Sequence, residues 1–103
     1  DWSSDVCSSD LAAVEGYAEA ADGFLQPVEW RSIPVGTLTI TVELAARFCC
    51  DALRERYFGW DRQRYATASE HNQARTRGQL QVAETLQAEL GPLEDVTARA
   101  FAR

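Results

Sequence analysis

The chain has 103 residues, with 16 acidic against 10 basic side chains, a net charge of −6 and an apolar share of 46%. That length allows at most one domain with a modest core, burying roughly 60 to 65% of the surface its unfolded chain exposes. The acidic balance argues against a nucleic-acid partner, whose phosphates call for a dominant basic field. No unbroken apolar run approaches the roughly 20 residues that cross a bilayer, so a soluble chain without a membrane partner is expected.

The first eleven residues, DWSSDVCSSDL, have neither helical nor strand periodicity and no feature of a targeting signal. Back-translated, the segment resembles a standard short-read sequencing adapter read in frame. Residues 1–11 are therefore expected to be non-native, irregular and exposed, and residues 12–103 to be the protein proper. The chain also has no Met, so it is expected to be a piece of a longer gene product; the absence of Lys, every base being Arg, fits GC-rich coding. Excluding Asp1, Asp5 and Asp10 halves the net charge of −6. Cys7 goes with them, leaving the neighbours Cys49 and Cys50, which lack the CxxC spacing of a zinc site and read as buried thiols of a reducing cytoplasm.

Residues 12–22 read as a short helix, with Val14, Tyr17 and Ala21 at helical spacing and Asp22-Gly23 as its stop. Pro27 suits a first helical position, where its missing N–H costs nothing. The stretch after it carries two patterns. Leu38, Ile40, Val42 and Leu44 alternate with Thr39, Thr41 and Glu43 as in a strand, while Leu38, Val42, Ala45, Cys49 and Leu53 form a longer helical stripe. The longer stripe and the helix formers of ELAARFCCDALRER predict a helix, kinked or broken near Pro34 and Gly36. Residues 57–70 read as a loop fixed by its aromatics, and Ser69 or Asn72 as the cap of a helix reaching Leu90 with Gln79, Leu80, Ala83 and Leu86 on its apolar-leaning face. Gly91-Pro92 is expected to end it before a last amphipathic helix bearing Leu93, Val96, Ala100 and Phe101. The fold class is all-α: about four helices and one long loop.

Chemistry-bearing patterns are sparse. The single His excludes a His-based metal cluster, and there is no GxSxG, GxGxxG or phosphate loop, nor any Lys to grip a phosphate. Arg54, Arg56, Tyr57, Phe58, Trp60, Arg62, Arg64 and Tyr65 have the composition of a stacking surface for single strands. They equally suit an Arg-rich helix end followed by a loop whose rings pin it to the core, which the net charge favours. Arg47 and Asp51 stand four apart and can pair across one helical turn. The same spacing allows Asp51 to fix Arg47 as a donor to a hydroxylated or anionic ligand.

ELAARFCCDALRERYF, followed by HNQARTRGQLQVAETL, resembles the C-terminal end of the bacterial phosphotransferases related to aminoglycoside phosphotransferases, the N-acetylhexosamine kinases in particular. Glu43, Arg47, Phe48, Asp51, Leu53, Tyr57, Phe58, His71, Asn72, Arg75, Arg77 and Gln79 occupy that group's pattern E-x-x-x-RF-x-x-D-x-L-x-x-D-x-YF, a loop, then HN-x-x-R-x-R-x-Q. The resemblance implies a remnant of the C-terminal lobe of a protein-kinase-like fold. It also implies a parent enzyme that uses ATP and Mg2+ on a sugar or aminoglycoside hydroxyl, with its nucleotide and metal residues in a missing N-terminal part. By position Arg47 and Tyr57 are then substrate-binding and Asp51 supports them, while His71, Asn72 and Arg75 are expected to cap and clamp the penultimate helix. The chain alone is expected to hold no cofactor and to be inactive. Here LRERYF lacks the Gly-Asp pair that usually precedes YF and is one residue shorter, which in a continuous helix would turn Tyr57 by about 100° unless the loop compensates. The alternative function is a small helical interaction module without catalysis.

Overall fold

In a computed structural model that describes residues 8–21 and 23–102, helices are the only regular secondary structure among the described residues, with no strand. The helices are α1 (Ser8–Ala20), α2 (Pro27–Arg31), α3 (Ile33–Arg54), α4 (Ala68–Ala88) and α5 (Leu90–Phe101). The helical stripe through residues 38–53 thus prevails over the strand alternation. The count exceeds the expected four because the stretch from Pro27 breaks completely at Ser32. There the Ser32 hydroxyl and N–H both donate to the Glu29 carbonyl, at 2.6 and 3.2 Å. Pro34 then falls in the first turn of α3, where no intrahelical donor is missed, instead of kinking an interior.

Three further boundaries depart from expectation. Ser8–Leu11 are the first residues of α1, not an irregular tail, and Leu11 is half-buried; residues 1–7 lie outside the described residues. Gly91 and Pro92 belong to the first turn of α5, and the chain breaks one residue before it, at Glu89, whose carbonyl accepts from the Leu93 N–H at 2.9 Å. The cap of α4 is Thr67, whose Oγ1 accepts from the Glu70 N–H at 3.1 Å, and Glu70 reaches back to the Ala66 N–H at 3.2 Å. This approximates a capping box, displaced by one residue at its second bond. Asp22 is outside the described residues, but Gly23 supplies the expected stop, with φ of 72° at a position that favours glycine.

The described residues divide into two compact units, one drawn from Asp1–Thr37 and Leu86–Arg103, the other being Leu38–Thr85. In the first, α1 and α2 both pack on α5. Ala18, Ala21, Trp30, Val96 and Ala100 are buried there. The Phe101 ring stacks on Trp30, with centroids 5.6 Å apart and planes 8° from parallel, and meets Tyr17 in a T-shaped contact at 6.2 Å. The small residues of α1 and α5 allow close approach and the rings fill the remainder, as the predicted apolar positions Val96, Ala100 and Phe101 require.

In the second unit, the inward positions of α3 are Thr41, Ala45 and Asp51, with Phe48 half-buried. The predicted stripe is therefore only partly inside: Ala45 is buried, but Val42, Cys49 and Leu53 are exposed, Leu53 by 86%. The buried face is rotated about one residue from the apolar one and includes Asp51, whose carboxylate is bonded across to the Asn72 amide of α4. Cys49 and Cys50 are accordingly exposed thiols and not buried ones. α3 is also long and apolar enough, by length and composition alone, to cross a membrane. The expectation to the contrary considered unbroken apolar runs, whereas a helix tolerates hydroxyls that bond back along it, as Thr37 Oγ1 does to the Ile33 carbonyl at 2.9 Å.

Candidate functional site

The site grows from the C-terminal end of α3. Asp51 carries one carboxylate into a turn formed by the residues that follow the helix. Its Oδ1 accepts from the Arg56 and Tyr57 N–H groups at 2.8 and 2.9 Å, and its Oδ2 from the Phe58 N–H at 3.0 Å. The Asn72 side-chain amide of α4 donates to the same Oδ2 at 2.9 Å. Three successive backbone donors converging on a carboxylate favour its charged form. The Phe58 and Arg56 N–H groups are the largest influences; with Tyr57 and Asn72 they outweigh desolvation and hold the Asp51 pKa below its ordinary 3.8.

To reach this geometry the chain passes through Glu55, the non-glycine residue with positive φ, at 52°. This left-handed position ends α3 in the manner of a C-terminal cap. Its side chain also serves α4, since Glu55 Oε2 accepts from the Ser69 N–H at 3.2 Å. The helix stops at Arg54, so Tyr57 lies beyond it and not on a continuous helix. Tyr57 takes its position from the Asp51-pinned turn.

The loop between α3 and α4 is secured residue by residue. Fully buried Asn72 accepts from Arg75 Nη1 at 2.9 Å, and the same Nη1 donates to the Gly59 carbonyl at 2.8 Å. The Arg75 guanidinium lies over the Phe48 ring, which also packs on Phe58 with centroids 4.5 Å apart. His71 Nδ1 accepts from the Asp61 N–H at 3.0 Å, and its ring stacks on Tyr65 at 4.3 Å. Desolvation first, then the charge of Arg75 and more weakly that of Arg64, lower the His71 pKa from its ordinary 6.5 against the opposing pull of Asp61. His71, Asn72 and Arg75 thus clamp the loop onto α4, but they do not cap that helix, which Thr67 does. Trp60 and Tyr65 are likewise occupied, under Arg62 and Arg64.

Arg47 is not paired with Asp51. Its Nε meets Glu43 Oε1 at 3.3 Å, one turn earlier, with both side chains about 60% exposed. The reason is competition: the Asp51 oxygens are taken by four better-placed donors.

Arg47, Asp51 and Tyr57 nevertheless come together. With Cys50, Arg54, Arg56 and Phe58 they line one concave, solvent-open pocket of about 380 Å³. That volume lies within the range of small-ligand sites. Tyr57 is 76% exposed and sets its ring edge-on to Phe58, so its ring and hydroxyl remain available. Sequence reasoning missed Arg54, Arg56 and Cys50 as pocket residues; the signal lay in their position just before and after the left-handed Glu55, which gathers both sides of the helix end. No group of three or more metal-ligating side chains occurs among the described residues. No family model, no curated protein and no solved structure matches the chain.

Proposed function

We propose that the pocket at the end of α3 binds a sugar, as part of the acceptor wall of an ATP-dependent phosphotransferase acting on a sugar or aminoglycoside hydroxyl. The observation that carries this reading is the meeting of Arg47, Asp51 and Tyr57 in one pocket of about 380 Å³. A guanidinium donates to hydroxyl and acetamido oxygens, a phenol can donate or accept, and an exposed ring packs on a sugar face. Asp51 acts indirectly, by fixing the backbone that carries Tyr57. In this reading ATP and Mg2+ are handled by residues of a missing N-terminal part, and the chain by itself transfers no phosphoryl group.

The test is saturation-transfer NMR on the full 103-residue chain with N-acetylglucosamine. Saturation of the sugar ring and acetamido protons is expected, and its loss in both Arg47→Ala and Tyr57→Ala while the helical circular dichroism is retained. Undiminished transfer to both variants would remove these residues from the site.

A further inference from the structure

We infer that this pocket selects a saccharide bearing an oxyanion, a hexuronate or a hexose phosphate, and turns away polyamine sugars. The inference rests on the sugar-binding reading above and adds the charge of the ligand to it. Three guanidinium-bearing residues, Arg47, Arg54 and Arg56, line the pocket against one carboxylate, that of Asp51. That carboxylate is already engaged: its two oxygens take the N–H groups of Arg56, Tyr57 and Phe58 and the Asn72 amide. An incoming ammonium would have to displace these donors and would meet the guanidinium groups first.

The arginines, by contrast, are available. Arg47 is held only by a largely exposed pair with Glu43 at 3.3 Å, a kind of contact that contributes little and yields readily to a competing anion. Among the described residues the Arg54 and Arg56 guanidinium groups form no ion pair. Planar, permanently charged forks at a pocket rim match carboxylate and phosphate geometry, and the bonds they form are charge-assisted. Tyr57 supplies the ring that a bare anion does not need, which is why a sugar carrying the anion fits better than the anion alone.

Two of the chain's three thiols supply the assay. Cys50 lines the pocket and its neighbour Cys49 does not, and both are exposed and unpaired. The intact chain is alkylated with iodoacetamide, and fragment-ion mass spectrometry reads each thiol, Cys49 serving as internal control. Glucuronate, glucose 6-phosphate, N-acetylglucosamine, kanamycin and inorganic phosphate are compared at equal concentration. At concentrations several times the dissociation constant, both acidic sugars should slow Cys50 alkylation about fivefold relative to Cys49, N-acetylglucosamine less, and kanamycin not at all. The double substitution Arg54→Gln, Arg56→Gln should erase the difference between glucuronate and N-acetylglucosamine. Equal or stronger protection by N-acetylglucosamine or kanamycin overturns the charge selection and leaves the sugar pocket standing. Inorganic phosphate protecting as well as glucose 6-phosphate overturns the saccharide part. Protection by none of the five overturns this inference together with the sugar-binding reading.

Discussion

The two units of this chain are held by different physics. In the unit that contains α5, aromatic contacts close the structure: Phe101 stacks on Trp30 and meets Tyr17 in a T-shaped contact, in a unit whose buried residues include Ala18, Ala21 and Ala100. In the unit of Leu38–Thr85, the deepest side chain is a polar one, Asn72, and a line of hydrogen bonds runs from Asp51 through Asn72 and Arg75 to the Gly59 carbonyl. Apolar burial is non-directional and tolerates small shifts of its members. A buried polar network is directional, so each member depends on the others being present. The second unit fixes the loop that carries Tyr57 and Arg56, and a binding surface gains more from direction than from area.

Three experiments set the units against each other. Phe101→Ala should have the largest effect, about 3 kcal/mol of lost stability, since it removes a ring with two aromatic partners and leaves a void. Hydrogen exchange should speed up in α1 and α5 while the amides of Arg56, Tyr57 and Phe58 keep their protection; a uniform loss would show that the units do not melt separately. Asn72→Ala should come next, about 2 kcal/mol, because it strands one lone pair of Asp51 and one guanidinium donor of Arg75. Here the pattern of exchange should reverse, the residues 56–61 losing protection and α5 keeping it.

The smallest effect is that of mild acid. His71 has its folded pKa below the unfolded one, so its contribution is complete above about 6.5 and is lost as pH falls from there through the lower folded value. Asp51, also depressed, contributes fully above 3.8 and loses that contribution only as pH falls below it. Melting followed from about pH 8 to about pH 4 should therefore loosen the Asp61 amide first. His71→Gln should flatten that pH dependence; an unchanged profile would show that another group titrates.

Much of this was written in the sequence, and what was not has a common cause. The helical stripe through Leu38 and Ala45, the loop after Arg54 and the apolar face of α5 follow from spacing. Spacing also named Arg47 and Asp51, although it paired Arg47 with the wrong acid, while Tyr57 was named only by the family resemblance. What spacing does not register is competition for a single group. Asp51 was within reach of Arg47, yet the amides of the turn lie nearer and are fixed by the chain itself. The inward face of α3 also differs from the apolar stripe. A count of apolar residues points to Val42, Cys49 and Leu53, whereas the buried positions include Thr41 and Asp51, the latter bonded across to Asn72 of α4. The breaks at Ser32 and Glu89 were shifted by proline, which marks a neighbourhood of helix ends without fixing which side of it the chain breaks.

The first unit draws on both the earliest and the latest described segments of the chain, with the whole of the second lying between them in sequence. Its closure therefore belongs to the class of long loops, where the entropic penalty rises by only about 0.6 kcal/mol for each doubling of length. The Asp51 turn is the opposite case, binding amides five to seven residues away. A polymer physicist would expect extra residues inserted between the two segments to burden the aromatic contacts very little. A single residue inserted between Asp51 and Arg56 would put the carboxylate out of register with all three backbone amides it holds.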